Sequence, residues 1–136
     1  MYQTILIPID LTHAEVSSDM IRAASKLGKD GARLILLNVI EDIPAYVAAE
    51  LPRSMLADTQ ENARKDLKGI AKSEHISADI DVRTGHPATA ILSAVVDQGA
   101  DIVIIASHRP GLQDYLLGST AARVVRHAKC SVLVMR

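Results

Sequence analysis

The chain contains no tryptophan, no phenylalanine and only three tyrosines in 136 residues, so its core has to be filled by Val, Ile, Leu, Ala and Met. The same shortage removes the aromatic platforms on which single-stranded nucleic acids stack. A formal net charge of −1 offers no general attraction to phosphate backbones either, and nucleic acid is not an expected partner. The one cysteine, Cys130, has no second thiol to pair with. It stands at the head of an apolar run, where it is expected to be a buried, inert thiol in a reducing compartment. No apolar run approaches the roughly 18 residues of a membrane helix, and no basic segment followed by a long apolar stretch opens the sequence. These absences point to a cytoplasmic chain with no membrane partner.

What is present is a hydrophobic fraction of 49%, much of it β-branched, which favours buried strands. Thr4 to Ile9 is a first strand ending at Asp10-Leu11-Thr12. Thr12 and Glu15 are spaced as a capping box, and Val16, Met20, Ala23, Ala24 and Leu27 then share one helical face that ends at Gly28 and Gly31. Leu34 to Ile40 is a second strand, apolar except for Asn38, and 41–55, with Pro44 and Pro52, is an irregular connection to a charged helix over 56–73. A third strand differs from the others: Ile80, Val82 and Thr84 alternate with Asp79, Asp81 and Arg83, the pattern of a strand with one solvated face. Pro87 then opens a helix whose buried stripe is Ile91, Ala94 and Val95, closed by Gly99. Ile102 to Ala106 is a fourth strand, 107–117 a loop, Gly118-Ser119-Thr120 the start of a helix carrying Val124, Val125 and Ala128, and Ser131 to Met135 a fifth strand. Without repeats or linkers, 1–136 forms one domain.

Strands alternating with helices imply a parallel sheet with right-handed crossovers and helices on both faces. A 2-1-3-4-5 order puts the second strand at an edge and a 3-2-1-4-5 order puts the third there. Only the third alternates like an edge strand, so the expected fold is an α/β, Rossmann-like sheet in the order 3-2-1-4-5. The order reverses between strands one and four, and open α/β sheets bind ligands at such a reversal, outside the carboxyl ends of the strands. Pro8, Ile9 and Asp10 frame the site on one side; Ile105, Ala106, Ser107 and His108 frame it on the other. Pro8 deletes a ladder donor near the end of a central strand, an unfavourable placement that supports a site there.

Neither G-x-G-x-x-G after the first strand nor a Walker-type phosphate loop occurs. The anion-binding signal is instead Gly118-Ser119-Thr120, where a helix amino terminus with unpaired N–H groups faces the crevice. In the alternative reading, Gly118 eases a turn and Ser119 caps the helix. His13 and His108 both follow strands that end at the crevice. No nucleophile–base spacing, two-histidine metal motif or carboxylate pair accompanies them, so they count as loop polarity and no catalytic residue is assigned.

Ile7-Pro8-Ile9-Asp10, Leu37-Asn38-Val39-Ile40, Gly85-His86-Pro87 and the stretch from Ala106 to Val134 together resemble the universal stress protein family over nearly the whole chain. Ala106-Ser107-His108-Arg109-Pro110, Tyr115 to Ser119 and Val125-Arg126-His127-Ala128 resemble most closely its short bacterial F-type branch. The resemblance implies that Pro8, Ile9 and Asp10 lie near adenine and ribose, and that the Val39 backbone reads the adenine edge. Gly118 and Ser119 match the end of the family's phosphate signature, G-x-x-G, nine residues, G-[ST]. Its first half is altered: Ala106 and Arg109 replace the two glycines, one position is deleted, and Pro110 donates no N–H. The Arg109 guanidinium is a candidate to compensate at the phosphates.

The implied function is a stress-associated regulatory protein binding ATP or a related adenine nucleotide, with Mg2+ accompanying it. The alternatives are a protein-interaction module of the same fold that has lost the nucleotide, and a slow ATP-hydrolysing enzyme. Strand five, apolar on both faces through Val132, Leu133, Val134 and Met135, is an edge that invites pairing. A homodimer through Val132 and Val134 is expected from that edge and from the resemblance.

Overall fold

The computed structural model describes residues 1–107 and 117–136. Five parallel strands, β1 (Tyr2–Pro8), β2 (Gly28–Ile40), β3 (Ala78–Thr84), β4 (Ile102–Ala106) and β5 (Ser131–Met135), form one sheet in the order β3-β2-β1-β4-β5. The helices are α1 (Ser17–Leu27), a single turn α2 (Ala45–Ala48) within the expected irregular connection, α3 (Met55–Ser73), α4 (Pro87–Gln98) and α5 (Ser119–His127). Because successive strand residues face opposite ways, β1 splits its side chains between two cores. Ile5, Ile7 and Ile9 meet Met20, Ile21 and Ala24 of α1 and Leu67 and Ala71 of α3. Leu6 joins Ile35, Leu37, Val103 and Ile105 under Ile91, Ala94 and Val95 of α4 and Ala121 and Val124 of α5. The helices therefore cover both faces, as the alternation of elements requires.

Four local readings change. A 3-10 segment, Leu11–Val16, precedes α1, and its cap is Asp10, whose carboxylate accepts the Thr12 N–H; the Thr12/Glu15 capping box does not form. β2 starts at Gly28 rather than Leu34, through a polar stretch in which Gly31 takes φ +78° and the register with β1 shifts. Val125 of α5 is 47% exposed, leaving Val124 and Ala121 as the buried stripe. The charged side of β3 is solvated only in part: the Asp79 side chain is 58% exposed, but those of Arg83 and Asp81 are only 22% and 13% exposed. Arg83 pairs with both Asp81 and Asp97, while Gln98 donates to Asp81. The C-terminal turn of α4 thus roofs this polar face. Charge still marks β3 as an edge, since no second strand competes for it.

Cys130 is half-buried, and burial pushes its thiol above the usual range, with the Asp101 carboxylate adding to the effect. The thiolate needed for reactivity is thereby disfavoured.

Candidate functional site

β1 and β4 are tied at one end and separated at the other. At the start of β1 the Asp101 carboxylate accepts the N–H groups of Gln3 and Thr4. Beyond that, only Ile5↔Ile102 and Leu6↔Val103 are paired. The β1–β2 ladder continues to Pro8↔Leu37, and the Ile9 N–H donates to Leu37 O at 2.7 Å. Because ladder donors alternate sides along a strand, the residue before Ile9 faces β4, and that residue is Pro8, which has no N–H to give. The missing donor lies where the two strands part.

The parted ends open into a cavity of 850 Å³. Pro8, Ile9 and Asp10 line it from β1, Val39 from β2, Ile105, Ala106 and Ser107 from β4, and Gly118, Ser119 and Thr120 from the start of α5. The structure thus brings these ten predicted residues together; His108 and Arg109 lie outside the described residues. Gly118 N–H donates to Ser107 O at 2.6 Å, and Ser107 N–H donates to Met135 O at 2.8 Å. These two bonds seat the amino terminus of α5 against the end of β4. Gly118 is the cap residue, in extended conformation, and among the described residues no side-chain cap is seen. Ser119 is already helical, so its hydroxyl is not the cap, and the start of α5, the positive end of its dipole, lines the cavity.

At the other end, the Asp10 carboxylate accepts the Thr12 N–H at 3.0 Å and the Thr12 hydroxyl at 2.6 Å, with His13 Nδ1 at 3.4 Å. Partial burial works against ionisation, but the Thr12 and His13 contacts outweigh it and hold this carboxyl below its ordinary range. Asp10 is therefore an anion at neutral pH and a fixture of its own loop.

Sequence reasoning missed part of the wall. Asn38, nearly buried, donates through Nδ2 to Ile9 O at 2.9 Å and locks the end of β1 to β2. It was visible as the one polar interruption in Leu34–Ile40. Thr59, Asn62, Ala63 and Asp66 of α3 also line the cavity. Their spacing puts them on one helical face, yet nothing in the sequence separates that face from a solvated one. Thr12 and His13 complete the rim.

The whole chain, residues 1–136, matches the sequence profile of the universal stress protein family. The chain belongs to the universal stress protein family. Universal stress protein G of Escherichia coli O157:H7 is 32% identical over 148 residues, spanning 100% of both chains. That relative is G-type, so family membership is established while the F-type assignment rests on the sequence motifs alone. Among solved structures, hypothetical protein MJ0577, whose biochemical function was assigned from its structure, superposes with a TM-score of 0.78 at 29% identity, covering 99% of this chain and 96% of that one. A universal stress protein in complex with cAMP gives 0.64 at 23% identity, covering 99% and 97%. The universal stress protein from Archaeoglobus fulgidus in complex with dAMP gives 0.69 at 14% identity, covering 99% and 98%. These last two share the family fold.

Proposed function

We propose that the chain, acting as one domain over residues 1–136, is a cytoplasmic regulatory protein that binds ATP or a related adenine nucleotide across the β1–β4 opening. One observation carries the reading: a helix start, Gly118-Ser119-Thr120, with no side-chain cap among the described residues, lines the same cavity as the apolar Pro8, Ile9 and Val39. The first feature suits phosphate and the second a flat base, and the cavity falls within the size range of small-ligand sites. Family relatives in complex with cAMP and dAMP support an adenine nucleotide as the ligand class. Arg109 would add a charge-assisted contact to the phosphates.

Among the described residues no group of three or more His, Cys, Asp or Glu side chains is placed to hold a metal. Magnesium would arrive on the nucleotide's phosphates. Regulation follows if the nucleotide binds two shapes of a β5-linked homodimer unequally. No helix among the described residues is long and apolar enough to cross a membrane.

A second reading has its own support. Ala106 and Arg109 stand where the family signature has glycine, and Ile43, Tyr46, Met55 and Leu56 are exposed around α2 and the start of α3. Those features suit a protein-interaction module without nucleotide. Mass spectrometry of small molecules released from the purified chain on denaturation separates the two readings. An adenine nucleotide supports the first, and none, together with no binding of added ATP, supports the second.

A further inference from the structure

His13 was left to loop polarity by its sequence context, but the structure gives it a defined hydrogen-bond state. Within the 3-10 segment its backbone leaves the helical region, at φ −138° and ψ 56°, and its ring turns back over Asp10 and Thr12. The Thr12 hydroxyl has one proton and lies 2.6 Å from Asp10 Oδ1. An ionised carboxylate can only accept, so that proton belongs to this bond. The 2.9 Å contact between Thr12 Oγ1 and His13 Nδ1 therefore needs its proton on Nδ1, which also faces Asp10 Oδ2 at 3.4 Å. The opposite assignment would leave two oxygens 2.6 Å apart with no proton between them. In a neutral ring with hydrogen on Nδ1, Nε2 carries a lone pair. His13 lines the cavity with its side chain 34% exposed, and among the described residues Nε2 has no hydrogen-bond partner.

We infer that His13, held as the Nδ1–H tautomer by Asp10 and Thr12, is a specificity-determining residue whose Nε2 accepts a hydrogen bond from the nucleoside part of the ligand. The inference rests on the adenine-nucleotide reading of the same cavity and names a contact within it. A neutral acceptor repels phosphate oxygens and matches a donor, so it faces the nucleoside end while the start of α5 faces the phosphates. The donors available on adenosine are the ribose hydroxyls and the exocyclic amine. Among the described residues, the other ionisable side chains on the cavity wall are Asp10 on the same loop, Glu41 beyond β2 and Asp66 on α3.

The test is calorimetric titration of the full chain with adenosine. His13→Asn, whose amide reaches only the Nδ1 position, should bind roughly three- to tenfold more weakly than native protein, the worth of one neutral hydrogen bond. His13→Gln, which reaches the Nε2 position, should restore binding, and a His13→Gln variant as weak as His13→Asn would overturn the acceptor role. Titrating 2′-deoxyadenosine, 3′-deoxyadenosine and purine riboside identifies the donor, since the analogue lacking it should be indifferent to His13→Asn. Independently of any ligand, long-range 1H–15N NMR of the free protein should show one unprotonated Nε2 that vanishes in His13→Asn, and a protonated Nε2 there at neutral pH would overturn the tautomer. ATP and adenosine binding that ignores His13 overturns this inference alone, whereas no binding of either overturns the nucleotide reading with it.

Discussion

Asp10 connects loop geometry to ligand chemistry more directly than any other side chain at the cavity. It caps the 3-10 segment through Thr12 and fixes the ring of His13, so removing it alters the nucleoside end twice over. Asp10→Ala should weaken ATP binding by at least about tenfold, in line with the loss of a charged hydrogen-bonding group. Gly118→Val should weaken it as much from the other end, by placing a branched side chain where backbone N–H groups must approach phosphate. Calorimetry on both variants checks this, and unchanged affinity in Gly118→Val would remove the start of α5 from the site. Asp10 also makes a pH prediction. Its folded-state carboxyl is held low, so its contribution to stability is present above the unfolded value of about 3.9 and is lost as pH falls through the folded value. Melting temperatures recorded from neutral to acid pH should converge for native protein and Asp10→Asn at the acid end and separate above it. Curves that stay parallel throughout would show that the Thr12 contacts do not depend on the charge.

Elements whose ends are set by local chemistry were legible in the sequence, and those set by neighbours were not. β4 and β5 are short apolar runs bounded by polar residues and run as expected, as does α4 between Pro87 and Gly99. Gly99 takes φ +65°, with its N–H on Val96 O and that of Ala100 on Val95 O, the closing geometry that glycine permits. His75 occupies the same left-handed region after α3, at φ 56°. Gly99→Ala should therefore cost about 1 kcal/mol and His75→Gly should gain up to about that amount, measured by urea unfolding. Equal and negligible effects would mean that both turns relax freely. The extension of β2 back to Gly28 escaped notice because Lys29, Asp30 and Arg33 give no two-residue apolar period. The cavity's β1 and β4 sides followed from topology, since the order reversal places the ends of β1 and β4 together, while Val39 followed from the family resemblance. Its α3 wall did not, because Asn62 and Asp66 acquire meaning only once the crossover swings α3 beside β2 and β3.

At the scale of the whole molecule, the two sheet edges differ in kind. β3 carries Asp79, Asp81 and Arg83, tied to Arg33, Asp97 and Gln98, whereas β5 offers Val132, Leu133, Val134 and Met135, all half-buried, with no charge before Arg136. Charge blunts the first edge, and the apolar second edge is the one proposed to pair with a copy of itself about a two-fold axis. Light scattering coupled to gel filtration should find a dimer at micromolar concentration, and Val134→Pro should break it by adding a ring at the pairing edge. A Val134→Pro variant that stays dimeric would move the interface to another surface. The nucleotide itself is tested most directly by calorimetric titration of the purified, nucleotide-stripped full chain with ATP in the presence of magnesium. Saturable binding at one site per protomer, lost in Gly118→Val, is the expected result. No heat of binding under several salt conditions, with no adenine compound released from freshly purified protein, would contradict it.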